Sequence, residues 1–288
     1  MSDDGAGTII IVDGKKLAVQ QPAVSISNRA YNYGDGLFET LRVEDGRCPL
    51  WTLHQQRMLS GCERLGLQVD IGVIHKSVLE ICAEGQSGIL KIIIHRRSGG
   101  RASYPSASLE AGFSCEFHSC VWEGQWLQNP VVLKRGRTPL SSIPLLAGLK
   151  HLNRLEYILL AREVPLAANE ELLLLDTDGC AVETMHHNLF CLLGDTLVTP
   201  CLENAGVKGV MRRLILDFVA TDLELVVEER PLADAELRRA TEIFICNAVR
   251  GIVPVTGVAE VVSFHSDRIA RDVAAGIERF IDSGLDRL

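Results

Sequence analysis

Residues 8–12, Thr-Ile-Ile-Ile-Val, form an apolar β-branched run that stops at Asp13-Gly14, a pair that closes tight hairpins, so a strand and a turn are predicted there. Two further short strands are expected at 37–43 and 47–51, joined by Glu44-Asp45-Gly46. Thr52 followed by Gln55 has the spacing of a capping box and predicts a helix that ends before Gly66. A helix over 71–83, a buried strand at 89–94, the loop Ser98-Gly99-Gly100 and a strand over 112–121 follow. Residues 122–130 lose apolar periodicity and read as a linker. Beyond it, Leu152, Leu155 and Leu159 predict a helix from about 149 to 163, with further helices at 210–220 and 267–281. Strands are expected at 171–175, 188–193, 225–229 and 242–246. Strands come in groups instead of alternating strictly with helices. The expectation is therefore an α+β protein with a smaller N-terminal domain at 1–121, the linker at 122–130 and a larger C-terminal domain at 131–288.

Composition narrows the function classes. Hydrophobic residues make up 47% of the 288 positions and charged ones 23%, which excludes a disordered chain. The net charge of −8 argues against nucleic acid as a partner and favours a small-molecule substrate. No apolar run reaches the roughly 18 to 20 residues needed to cross a bilayer, and Met1–Gly7 carries no basic segment ahead of an apolar stretch. No membrane association is expected, and a cytoplasmic location is. The nine cysteines never form C-x-x-C, so buried reduced thiols are expected, with neither a disulfide framework nor a zinc site.

Three stretches could carry chemistry. The chain has seven lysines against twenty-two arginines, and Lys150 lies between Leu149 and His151-Leu152 where apolar neighbours could lower its pKa and leave an amine able to form a Schiff base. It also reads as an ordinary lysine with its ammonium in water. Gly206-Val207-Lys208-Gly209 leads into a predicted helix whose first amides, at Val210 and Met211, suit a phosphate, although glycine turns of this kind are common. Glu183 follows the Asp176-Thr177-Asp178-Gly179 turn and could hold a protonated ring nitrogen or simply face solvent. No metal site is expected. Cys180 and His187 stand where a calcium loop needs oxygen ligands, and His186 and His187, read as strand neighbours, would point to opposite faces.

Taken in order, several motifs resemble the class IV pyridoxal-phosphate aminotransferases, the fold-type IV enzymes. They are Ser27-Asn28-Arg29-Ala30 leading to Tyr33-Gly34-Asp35-Gly36-Leu37-Phe38-Glu39-Thr40, then His54-Gln55-Gln56-Arg57, Leu149 to Glu156, Glu183 before Asn188-Leu189-Phe190, and Gly206 to Arg212. Within the family, Leu146 to Glu156, Arg96 to Arg101 and Ile245-Cys246-Asn247-Ala248 are most similar to the 4-amino-4-deoxychorismate lyases. The resemblance implies a two-domain α+β fold, a homodimer and pyridoxal 5′-phosphate as cofactor. It implies that Lys150 bonds the cofactor and serves as base and acid, and that Glu183 pairs with the pyridine nitrogen. Arg57, the Val210 and Met211 amides and the Asn247-Ala248 turn would clamp the phosphate. The lyase substrate carries two carboxylates, for which Arg101 first, then Arg96 and Arg154, are the expected partners, with Arg154 one helical turn from Lys150. Phe38 would line the substrate side. A D-amino-acid or branched-chain aminotransferase is the competing activity within the family. Phe38, Thr40 and Ser103 depart from the patterns of those enzymes, and Glu39 stands where some lyases have a small hydroxyl residue. A cofactor-binding or interaction protein without catalysis is the reading from another class.

Overall fold

A computed structural model describes residues 7–21, 25–97, 110–122 and 126–284. The chain divides into two compact units. One comprises the described residues before 123 together with Lys150–Asn153; the other comprises 126–149 and the described residues from Arg154 onward.

In the first unit, β1 (Thr8–Val12), β2 (Lys15–Leu17), β3 (Gly36–Val43), β4 (Gly88–Arg96) and β5 (Ala111–Ser119) form one antiparallel sheet in the order β2-β1-β5-β4-β3. Helices α1 (Arg29–Tyr33), α2 (Trp51–Leu65) and α3 (Ile71–Cys82) accompany it, with α2 beside β3 and α3 beside β5. Alternation along the strands buries Ile9 and Ile11 in β1, Leu90, Ile92 and Ile94 in β4, and Phe113, Cys115 and Phe117 in β5; Leu53, Met58, Ile74, Val78 and Ile81 are buried on the helices. The expected strand at 47–51 does not form. Leu50 adopts a left-handed conformation (φ 65°), and α2 starts at Trp51 with no side-chain capping bond, so the Thr52-Gln55 spacing is not what starts it.

The second unit is α+β as well. Its ten-stranded sheet runs β11-β10-β9-β13-β14-β6-β7-β8-β12, with β15 paired to β14. The members are β6 (Val131–Arg135), β7 (Glu170–Leu175), β8 (Cys180–Thr184), β9 (Asn188–Leu193), β10 (Thr196–Pro200), β11 (Val226–Arg230), β12 (Leu232–Ala233), β13 (Glu242–Asn247), β14 (Gly251–Val258) and β15 (Val262–Ser263). The β10–β11, β14–β6 and β6–β7 pairs are parallel and the others antiparallel. Helix α4 spans Leu155–Glu163; α5 (Val210–Leu214) continues through a π-helical turn at Ile215–Val219 into α6 (Ala220–Asp222). Helix α7 (Arg268–Ser283) buries Ile269, Ala270, Val273, Ala274 and Ile277 and packs beside β13 and β14. The expected helix at 149–163 is thus shorter. Residues 150–153 are not helical because their backbone pairs with β3 instead.

Among the described residues, no helix is long and apolar enough to cross a membrane. None of the described cysteines forms a disulfide, and burial pushes Cys115 and Cys191 up to about 12.

Candidate active site

Strand β3 brings the first unit's functional side chains together. The Phe38 amide donates to the Lys150 carbonyl (2.9 Å), the Leu152 amide donates to the Gly36 carbonyl (3.1 Å), and Leu37 and His151 form an antiparallel bridge. This pairing makes Lys150 a direct neighbour of Phe38. The half-buried Lys150 Nζ lies 4.3 Å from the centroid of the Phe38 ring, where the ring's electron-rich face supports a cation.

Glu39, next along β3, is 3% exposed and meets two residues of α2. His54 Nδ1 donates to its Oε2 (2.6 Å), while Arg57 Nε donates to Oε1 (2.8 Å) and Arg57 Nη2 to Oε2 (2.5 Å). His54 and Arg57 are three residues apart, which places them on one helix face. Burial opposes the charge on Glu39, but the Arg57 guanidinium and His54 outweigh it and hold the carboxyl down at about 2. Burial also keeps His54 below its ordinary value, so the imidazole is neutral; its Nε2 is buried without a hydrogen-bond partner.

The substrate arginines need correction. Arg96 is 8% exposed and donates to Asp35 Oδ2 (3.0 Å) and to the carbonyls of Leu65 (2.6 Å) and Gly66 (3.0 Å), which end α2. It ties β4 to a helix end and is not presented to a ligand. Arg101 lies outside the described residues. Arg154 is not one helical turn from Lys150, because residues 150–153 are not helical and α4 starts only at Leu155.

In the second unit, Glu183 on β8 is 5% exposed. Its Oε1 accepts from the Tyr157 hydroxyl (2.6 Å); its Oε2 accepts from the Val207 amide (2.9 Å) and from Asn188 Nδ2 (3.3 Å). Gly206 makes the Val207 contact feasible: its φ is +83°, and a Cβ there would come within 2.8 Å of Val182 and 2.9 Å of Leu202. The Arg154 guanidinium stacks 4.7 Å over the Tyr157 ring. Burial first, and the negative charge of Glu183 second, push the Tyr157 hydroxyl far above its ordinary value, so it remains a proton donor to Glu183. Tyr157 was missed because the Leu152-Leu155-Leu159 periodicity marks it only as a helix residue, with nothing to tie it to Glu183.

Gly209 caps α5 without a side-chain bond, and the Val210 and Met211 side chains are buried. What these two residues offer an anion is their first-turn amides. Asn247 and Ala248 lie at the turn between β13 and β14, where Asn247 Oδ1 accepts from the Val249 (2.9 Å) and Arg250 (2.7 Å) amides and Nδ2 donates to the His186 carbonyl (3.2 Å). His186 and His187 are not strand neighbours. They sit in the turn before β9, and both approach Glu171, at 3.6 and 3.4 Å.

These donors fit pyridoxal phosphate group by group. In the first unit a primary amine suits its carbonyl and an arginine suits its phosphate; in the second, taken by itself, a buried carboxylate suits a protonated ring nitrogen and helix-start amides suit a phosphate.

Comparison with known proteins agrees. The family model described as amino-transferase class IV matches residues 36–258. An aminodeoxychorismate lyase of Vibrio harveyi is 30% identical over 246 residues, covering 83% of this chain and 89% of its own. The crystal structure of 4-amino-4-deoxychorismate lyase from Pseudomonas aeruginosa is 34% identical with a TM-score of 0.82, covering 95% of this chain and 99% of that one. A D-alanine aminotransferase of Staphylococcus aureus is 23% identical over 95% of this chain and 98% of its own. The branched-chain aminotransferase of Escherichia coli has the same fold (TM-score 0.82, 20% identity, 95% and 94% coverage). The chain belongs to the class IV aminotransferase family, with the fold-type IV architecture.

Proposed function

We propose that the protein is a pyridoxal-phosphate-dependent lyase that converts 4-amino-4-deoxychorismate to 4-aminobenzoate and pyruvate, a step that serves folate biosynthesis. The observation that carries this reading is near-full-length identity of 30% and 34% to two aminodeoxychorismate lyases, against 23% and 20% to the aminotransferases above. The chain works as a homodimer in the cytoplasm on a small-molecule substrate.

Lys150 would hold the cofactor's carbonyl and Glu183 would accept from its ring nitrogen. Arg57, the Val210 and Met211 amides and the Asn247-Ala248 turn take its phosphate. Pyridoxal phosphate, when bound, stabilises negative charge on the carbon beside the substrate amine. The Lys150 amine would be the base that removes the proton from that carbon. The C–O bond to the enolpyruvyl group breaks, the ring becomes aromatic, and the enolpyruvate takes up a proton and leaves as pyruvate. The two products together hold every atom of the substrate, so no second reactant is consumed. Glu183 remains a hydrogen-bond acceptor because Tyr157, Val207 and Asn188 all donate to it. Arg101 and Arg154 are the arginines for the substrate's carboxylates, and Phe38 lies under the Lys150 amine.

The test is product analysis of the purified protein with 4-amino-4-deoxychorismate. Equal amounts of 4-aminobenzoate and pyruvate support the lyase. Transfer of amino groups from D- or L-amino acids to 2-oxo acids, with no 4-aminobenzoate formed, would move the assignment to an aminotransferase. A protein that binds no cofactor would be an interaction module.

A further inference from the structure

Glu39 and His54 have no part in the chemistry above, yet they are among the most buried polar groups of the first unit: Glu39 is 3% exposed and His54 is 0%. A buried carboxylate is costly unless its acceptors are filled, and here His54 and Arg57, both on α2, fill them. The contact with Arg57 is two-point, Nε to Oε1 and Nη2 to Oε2. A two-point contact fixes both the plane of the guanidinium and the direction of its opposite edge, which a single hydrogen bond would not.

His54 makes the arrangement rigid at a cost. Its Nδ1–H donates to Glu39 Oε2, the same oxygen that Arg57 Nη2 reaches, and its Nε2 is left buried without a partner. An unsatisfied buried nitrogen destabilises the fold. A hydrophobic residue in that place would avoid the penalty but leave Glu39 held by Arg57 alone, so that the pair could turn together. Because Glu39 stays ionised and His54 neutral, the trio carries one carboxylate and one guanidinium. A residue needed only to neutralise Arg57 would not require the third partner.

We propose that Glu39, locked by His54, is a positioning residue that aims Arg57 at the phosphate of the cofactor. The inference rests on the assignment of Arg57 to that phosphate made above, and it adds the device that orients it. Glu39 and His54 touch neither cofactor nor substrate in this account. Their effect is felt only by a ligand that carries the phosphate.

The test compares two ligands of the full-length apoprotein, pyridoxal 5′-phosphate and pyridoxal, by absorbance and fluorescence titration. Both share the ring and, in the open form of pyridoxal, the aldehyde, and the internal hemiacetal of pyridoxal is the same for every variant, so contributions from Lys150 and Glu183 cancel when the ratio of dissociation constants is compared between variants. Glu39→Gln keeps the side-chain shape and removes the charged two-point contact. It is expected to weaken pyridoxal phosphate about ten- to hundredfold, the range that loss of a hydrogen bond to a charged group costs, and to leave pyridoxal unchanged. His54→Phe, which keeps a ring and removes the donor, should shift the ratio in the same direction by less. In an Arg57→Lys background, Glu39→Gln should have no further effect on the ratio. Equal weakening of both ligands by Glu39→Gln and by His54→Phe would mean a purely structural role and overturn the proposal. So would an unchanged ratio in Arg57→Lys. A wild-type protein that binds neither ligand would instead refute the proposed function, so the two failures are distinguishable.

Discussion

The N-terminus of α7 is capped from a distant strand, and removing that cap should be costly. Asp267 occupies the position before the helix that the sequence pattern favours for capping, but its side chain pairs with Arg271 and makes no capping bond. The first amides are met by Glu242 on β13, which is 2% exposed. Its Oε1 accepts from the Ala270 amide (2.7 Å); its Oε2 accepts from the Ile269 amide (3.2 Å) and the Ser266 hydroxyl (2.9 Å). Glu242→Gln keeps one acceptor oxygen, turns the other into a donor facing donors, and removes the negative charge from the positive end of the helix. A hydrogen bond to a charged group contributes about 1.5–3 kcal/mol, and the charge at a partly buried helix end up to about 2 kcal/mol. The expected loss is about 3 kcal/mol on those figures. Asp267→Ala should leave stability nearly unchanged. A chain of two units need not unfold in one step, so urea unfolding at pH 7 should be accompanied by amide hydrogen exchange at Ile269 and Ala270, where protection should fall about a hundredfold. A loss below about 1 kcal/mol in Glu242→Gln, or an equal loss in Asp267→Ala, would refute the reasoning.

Other perturbations have equally definite outcomes. His54 and His187 are both buried neutral, below their ordinary value of 6.5, so the unfolded chain binds more protons and stability should decline as pH falls through 6.5. Glu39, lowered from 4.5 to about 2, extends the decline below pH 4.5 and accounts for about 3 kcal/mol of it; a melting temperature that stays level or rises from pH 7 to pH 5 would contradict the histidine assignments, and one that stays level from pH 5 to pH 2.5 would contradict that of Glu39. Tyr157→Phe removes the hydroxyl donor to Glu183 Oε1 and should lower unfolding stability by about 1–3 kcal/mol, read by urea denaturation. Gly209→Ala would bring a Cβ within 1.9 Å of Asn188 Oδ1 and displace the amide that bridges Glu183 and the Val207 carbonyl, so cofactor affinity should drop while α5, whose Gly209 φ of −68° suits alanine, still forms; isothermal titration and circular dichroism separate the two.

The sequence discloses the elements whose side chains obey one simple period. The apolar run at 8–12 and the β-branched stretch at 89–94 became β1 and the middle of β4, and the amphipathic helices at 71–83 and 267–281 lie where their spacing places them. Elements fixed by distant partners were less legible. Strand β14 carries Gly251, Pro254 and Gly257, which read as breakers; Pro254 nevertheless sits opposite Phe244 in β13. The segment at 150–153 has helical spacing in its leucines, yet its backbone hydrogen-bonds to β3, more than a hundred residues earlier. The same limit applies to the site. Lys150 and Glu183 stand out through motif resemblance, whereas the Tyr157–Glu183 contact and the Glu39–His54–Arg57 trio depend on side chains that only the fold brings together. Arg96 had the right charge next to a strand, but the carbonyls at the end of α2 claim it.

The role proposed for Lys150 in elimination from 4-amino-4-deoxychorismate is tested by the rate of 4-aminobenzoate release by the wild-type holoenzyme and by Lys150→Ala. Steady release by the wild type, abolished in a Lys150→Ala protein of unchanged circular dichroism, is the predicted result. Release that persists in Lys150→Ala, or its absence from a folded, cofactor-loaded wild type, would contradict the account.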